Sequence, residues 1–133
     1  MIKANSQTDH ISAFWDVLPT FCDIAKTKSP KNIDGISFLP AMLGKKQMAH
    51  DYLYWEFHER GGKQAIRKGD WKAVKLQVSK IDNPDIELYN LINDPGEQNN
   101  IADKHPEIIN EMIDIFATAR TADPNWPLLA KEK

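Results

Sequence analysis

A run of closely spaced strand signals between residues 52 and 91 is the strongest constraint on this chain. Tyr52-Leu53-Tyr54-Trp55-Glu56-Phe57 is aromatic and suits a strand. Lys63 to Lys68, Trp71 to Val78 and Ile86 to Leu91 continue the pattern. Their links are a loop at Glu59 to Gly62, the two-residue Gly69-Asp70, and a break at Asp82-Asn83-Pro84. Glycine first in a two-residue link suits a tight hairpin. Parallel strands need crossovers of a dozen or more residues, so links this short predict an antiparallel meander. Alternation puts Leu53, Trp55 and Phe57 on one face of the first strand. It puts Lys72, Val74, Leu76 and Val78 on one side of the third.

Such a sheet needs an apolar cover. Pro106 to about Thr121 supplies it, with Ile108, Ile109, Met112, Ile113, Ile115 and Phe116 at helical spacing. Pro106 suits the first turn, and Glu107 favours the positive end of the helix dipole. The stripe is expected to pack on the face of Leu53, Trp55 and Phe57. The fold class is therefore α+β, a four-stranded antiparallel sheet packed against a long C-terminal helix. Asn93-Asp94-Pro95-Gly96 predicts a type I turn, with proline at i+1 and glycine at i+3. Glu97 to Ala102 is expected to form one helical turn.

Upstream, Ile11 to Phe14 reads as a short extended piece, and Asp16 as the N-cap of a helix over 17–26. Thr27 to Asp34 is a loop, and Phe38 to Leu43 a helical turn stopped by Gly44. The tail from Asp123 reads as an extended strap that docks Trp126 and then frays. Three spans result: 1–48, 49–121 and 122–133.

Composition narrows the function classes. The 133 residues amount to about one domain. No apolar run nears the ~18 residues of a membrane span. A single cysteine makes no internal disulfide. A net charge of −2 gives no global field for nucleic acid. Arg67, Lys68, Lys72 and Lys75 put cations on neighbouring strands, where Trp55 and Trp71 could stack bases or sugars, but core tryptophans are the favoured reading. Met1 to Asn5 lacks a secretory leader pattern, which taken alone argues for the cytoplasm.

No HExxH, nucleophile elbow, Walker loop or dinucleotide fingerprint is present. His50-Asp51 and His58-Glu59 read as hydrated histidines at strand ends rather than metal ligands, and Cys22 as a small buried hydrophobe. His58-Glu59-Arg60-Gly61-Gly62-Lys63-Gln64 is the densest polar cluster. It reads equally as a ligand-contacting tip and as an ordinary solvated turn.

Four stretches in order resemble the C-terminal part of the formylglycine-dependent sulfatases, arylsulfatase-like members of the alkaline phosphatase superfamily. Asp16-Val-Leu-Pro19-Thr20 with Ala25 is similar to the family's Asp-x-x-Pro-Thr segment. Asp34-Gly35-Ile36-Ser37-Phe38-Leu39-Pro40 is similar to its Asp-Gly-x-Ser-x-x-Pro. Ile66-Arg67-Lys68-Gly69-Asp70-Trp71-Lys72 resembles Val-Arg-x-Gly-x-Trp-Lys. Glu87-Leu88-Tyr89-Asn90-Leu91, Asp94-Pro95-Gly96-Glu97 and Asn100-Ile101-Ala102 follow the pattern that comes next.

The resemblance implies that 1–48 is the end of an N-terminal α/β sulfatase domain and linker, 49–121 a C-terminal subdomain, and 122–133 an extended tail. Phe14, Trp15, Leu18 and Phe21 would then lie exposed, inviting self-association through residues 11–25. The implied activity is sulfate ester hydrolysis, on sulfated carbohydrates, with calcium and formylglycine in the larger enzyme and no cofactor in this chain. The family's Cys/Ser-x-Pro-x-Arg motif is missing, so this chain alone is expected to be inactive. Its expected contribution is a cleft wall, with His58, Glu59, Arg60, Lys63 and Arg67 as candidate substrate contacts. Partners would be the N-terminal sulfatase domain and the sulfated sugar, in the periplasm or outside the cell. A standalone carbohydrate- or protein-binding module, or part of a related phosphoester or phosphonate hydrolase, fits the same residues.

Overall fold

Strands β1 (Leu53–Phe57), β2 (Lys63–Lys68), β3 (Trp71–Leu76) and β4 (Ile86–Asn90) form one antiparallel sheet in that order. The computed structural model describes residues 2–132, in two compact units, Met1–Asp51 and Tyr52–Lys133. Helices are α1 (Val17–Ile24) and α2 (Leu39–Met42) in the first unit, and α3 (Pro106–Thr118) in the second.

Register decides which sheet face is covered. Tyr54, Ile66, Ala73 and Leu88 stand opposite one another across all four strands. This row meets Met112, Ile115 and Phe116 of α3, and together they form the core. The face of Leu53, Trp55 and Phe57, expected under the helix, is the other one. Its rows are Leu53–Arg67–Lys72–Tyr89, Trp55–Ala65–Val74–Glu87 and Phe57–Lys63–Leu76. Each carries a charge, whereas the Tyr54 row carries none, and burying unpaired charge is costly. Ile113, expected in the helix stripe, is 45% exposed.

Further differences are local. Gln77 takes a left-handed φ of +60°, so β3 ends at Leu76 and Val78 leaves the Lys72 side to be buried. Pro95 holds i+1, but Gly96 sits at i+2, because the Glu97 amide closes the turn onto the Asp94 carbonyl at 3.1 Å. Residues 97–101 do not coil. Asp94 Oδ2 accepts the Gln98 and Asn99 amides at 2.8 Å each, and the Ile101 amide bonds the Leu88 carbonyl at 2.9 Å. Side chains that take amides in this way compete with a helix. A 3₁₀ turn follows instead at Ala102–Lys104.

The strap docks through Leu128, 1% exposed, while Trp126 stays 64% exposed. It does not fray within the described residues. The Ala130 amide bonds the Val78 carbonyl at 2.9 Å, and Glu132 Oε2 accepts the Leu128 and Leu129 amides at 2.9 and 3.1 Å.

In the first unit the chain is extended at Ala13, as expected, but Phe14 already opens a 3₁₀ turn over Phe14–Asp16. Asp16 is fully buried and makes no side-chain cap bond to α1. Its Oδ2 accepts the Ala13 amide at 2.7 Å, and its Oδ1 accepts the Ile36 amide and His50 Nε2, both at 2.8 Å. His50 is thus a buried-carboxylate partner, not a hydrated strand-end residue. Thr20 Oγ1 donates to the Asp16 carbonyl at 2.7 Å and accepts the Phe38 amide at 3.0 Å. A Cβ on Gly35 would lie 2.2 Å from the Trp15 carbonyl oxygen, so only glycine fits. Cys22 is half-exposed rather than buried. Phe14, Leu18 and Phe21 are exposed as expected, and Trp15 is half-buried.

Burial alone would raise the Asp16 pKa, but the Ala13 and Ile36 amides and His50 outweigh it and hold it below the ordinary value. Its stabilisation is therefore present above the unfolded-state pKa of about 4 and is lost as pH falls through the lower folded value. Asp16→Asn should cost roughly 2–3 kcal/mol in urea unfolding at pH 7 and flatten the acid limb. In the second unit, Leu128→Ala should cost about 2–4 kcal/mol by the same measurement, having left a cavity beside Val78 and Gly62.

Candidate functional site

Residues 57–63 reverse the chain between β1 and β2, and the backbone there is locked. Arg60, Gly61 and Gly62 take consecutive left-handed φ values of +53°, +91° and +73°. A Cβ on Gly61 would strike Gln77 Oε1 at 2.1 Å. One on Gly62 would press Leu128 and Val78 at 3.0 Å. The Ser79 and Val78 amides bond the Gly61 and Gly62 carbonyls at 3.0 and 3.3 Å, and Gln77 Nε2 bonds the Arg60 carbonyl at 3.2 Å. A non-glycine residue in this region costs about 1 kcal/mol, which the surrounding bonds offset at Arg60.

Beneath the turn lies a charged clamp. Alternation from Tyr54 puts Glu56 on the helix side, where a carboxylate needs a cation. Arg120 Nη1 supplies it, at 2.7 and 2.5 Å from the two Glu56 oxygens. The same guanidinium donates to Glu132 through Nε at 3.0 Å and Nη2 at 2.9 Å, and to the Trp126 carbonyl at 3.2 Å. Tyr54 donates its hydroxyl to Glu56 at 2.6 Å and accepts Gln64 Nε2 at 2.6 Å. Burial and this bond raise the Tyr54 pKa. The bond from Arg120 holds Glu132 down at about 2. Bonding to Glu132, then to Glu56, raises Arg120 despite its burial. Both carboxylates pair with one arginine, which fixes their geometry.

The clamp carries an aromatic ledge. His58 Nε2 lies 3.4 Å from Glu56 Oε2, and the His58 ring sits 5.1 Å from the exposed Trp126 ring. An exposed indole beside an imidazole offers apolar area with polar tips, as sugar binding requires.

The expected residues fall into two groups. His58, Glu59 and Arg60 lie together at the turn, Glu59 and Arg60 exposed to solvent. Lys63 and Arg67 share the opposite sheet face, four residues apart along β2, about 13 Å. Lys63 Nζ lies over the Phe57 ring at 5.5 Å, and Arg67 Nε donates to the Gly69 carbonyl at 3.3 Å. On that face Lys72 pairs with Glu97 at 2.6 Å. Sequence reasoning missed Arg120, Glu132 and the role of Trp126. Its available signal was Glu56, an acid at the same parity as core Tyr54.

Among the described residues no three His, Cys, Asp or Glu side chains converge as a metal-holding group. Nor is any helix among them long and apolar enough to cross a membrane.

Residues 1–121 match the family described as N-sulphoglucosamine sulphohydrolase, C-terminal. Arylsulfatase K of Rattus norvegicus is 34% identical over 119 residues, covering 80% of this chain and 20% of its own length. The N-acetylgalactosamine-6-O-sulfatase of Bacteroides thetaiotaomicron is 26% identical, covering 90% of this chain and 25% of its own length. The solved structure of a 2-O GAG sulfatase superposes with a TM-score of 0.66 at 30% identity, over 77% of this chain and 23% of that one. The chain thus spans about a fifth to a quarter of the proteins it matches. With the four-stranded sheet, its covering helix, the motifs between Asp16 and Ala102 and the family match over 1–121 all in agreement, the chain belongs to the sulfatases, within the N-sulphoglucosamine sulphohydrolase C-terminal family.

Proposed function

We propose that the protein containing this domain hydrolyses sulfate esters on carbohydrates, and that the domain binds substrate rather than supplying the nucleophile. The observation that carries this reading is the locked turn, which holds His58 against exposed Trp126 beside Arg60. Cations suit a sulfo group, and aromatic faces suit a sugar ring. Similarity to a 2-O GAG sulfatase and to an N-acetylgalactosamine-6-O-sulfatase supports a sulfated glycan as the substrate class. Lys63 and Arg67 then serve a separate, opposite-face contact.

The calcium and formylglycine that the family resemblance implies do not fit residues of this chain. Cys22 is followed by Asp23-Ile24-Ala25 rather than the required proline and arginine, and no cluster of acidic ligands is present among the described residues. No chemical step is assigned to these residues. Residues 1–48 are read as the end of an N-terminal sulfatase domain and 49–121 as its C-terminal subdomain. Exposed Phe14, Leu18 and Phe21 are the surface on which that N-terminal domain would pack, and the whole enzyme is read as periplasmic or secreted.

The test uses the full-length enzyme with His58→Ala, Lys63→Ala and Trp126→Ala. A lost charge-assisted bond is worth about 1.5–3 kcal/mol, so kcat/KM on a sulfated oligosaccharide should fall roughly 10- to 100-fold for His58→Ala. Turnover of a small aryl sulfate should stay near its original value. Unchanged kcat/KM on the oligosaccharide in all three variants rules the reading out.

A further inference from the structure

A cavity of about 380 Å³ lies between β3, the loop before β4, α3 and the strap. Its size falls in the range of small-ligand sites. Val78, Ile113, Phe116 and Leu129 give it an apolar floor. Lys75 and Lys131 line it from two sides.

What sets these two lysines apart is that they share one cavity. Lys75 stands in the Gln64–Lys75–Ile86 row, on the helix side of the sheet, and its Nζ lies 4.7 Å from the centre of the Phe116 ring. Among the described residues neither Lys75 nor Lys131 has an ion-pair partner, although Lys68 and Lys72 are paired with Glu111 and Glu97. Asp82 lines the same cavity and forms an ion pair with neither. Glu132, next to Lys131, is taken by Arg120. Burial, then the Lys131 charge, depress the Lys75 pKa. Two like charges held over an apolar floor repel each other, and a bound anion turns that repulsion into attraction.

We infer that this cavity is an oxyanion-binding site that takes a sulfate or carboxylate group borne on a sugar-sized body. The two ammonium groups take the oxyanion, and the side chains of Ile113, 45% exposed, and Leu129 pack against the ring. Lysine suits this role as a point charge with rotatable donors. The site is distinct from the His58 ledge, and it holds whether or not the protein is a hydrolase, because binding is read directly.

The experiment titrates the full-length protein with N-acetylglucosamine 6-sulfate, N-acetylglucosamine and sodium sulfate. Two readouts are followed, Kd by calorimetry and the ¹³C resonances of reductively methylated lysines. The Lys75 and Lys131 signals are assigned by their loss in Lys75→Met and Lys131→Met. Both signals should move with the sulfated sugar and stay still with the neutral one. Each variant should weaken that binding roughly tenfold, one charge-assisted contact apiece. Equal competition by sodium sulfate supports the oxyanion site and names the free anion as occupant; weak competition supports the sugar-borne group. Lysine signals that stay still with sulfated sugar and sulfate alike overturn the inference. So does an unchanged Kd in Lys131→Met, whose exposed side chain on the strap makes it the safer variant for folding.

Discussion

One uncharged row across the sheet governs the second unit. Tyr54, Ile66, Ala73 and Leu88 are the only cross-strand set spanning all four strands that can be buried without burying a charge, so α3 lies on their side. The rest follows from parity. The next row on that side is Glu56, Gln64, Lys75 and Ile86. Its acid recruits Arg120, and through Arg120 the strap. Its lysine finds Phe116 and no acid. The clamp under the turn and the cationic cavity are two ends of one polar row.

The first unit is organised by a single buried carboxylate. Asp16 gathers an amide from before α1, an amide from twenty residues later, and a histidine from further still. Neutral hydrogen bonds are worth about 1 kcal/mol each, and bonds to a charge about twice that. A segment with so many exposed apolar side chains gets its shape from this node more than from a core. The Asp-x-x-Pro-Thr and Asp-Gly-x-Ser spacings have a physical meaning here. Asp16 and Thr20 are the acceptors for the amides of Ile36 and Phe38, and Gly35 is where the chain passes over Trp15.

Much of this was legible in the sequence. The four strands, the Gly69-Asp70 hairpin and the long helix follow from link length, turn chemistry and period. The covered face was not, because Leu53, Trp55 and Phe57 look more apolar than Tyr54 when one strand is read alone. Only pairing across strands exposes the charges in their rows. The strap misled for a similar reason. Trp126 is the larger side chain, but Leu128 is the one that fits against Val78 and Gly62, which the sequence does not place together. At the turn, the paired glycines were visible as a signal. The arginine that organises what lies beneath came from 64 residues away along the chain.

The three left-handed residues of the turn have a consequence for how such a domain diversifies. Gly61 and Gly62 are stitched to residues 78 and 79, so inserting or deleting a residue there would break the stitching rather than lengthen a free loop. Arg60 shares the unusual backbone but projects into solvent. It is thus a position where the side chain can be exchanged while the scaffold keeps its form, with asparagine or glycine the easiest replacements for that backbone. Side chains at this rim can change by swapping letters at 59 and 60, and the turn scarcely at all by changing its length.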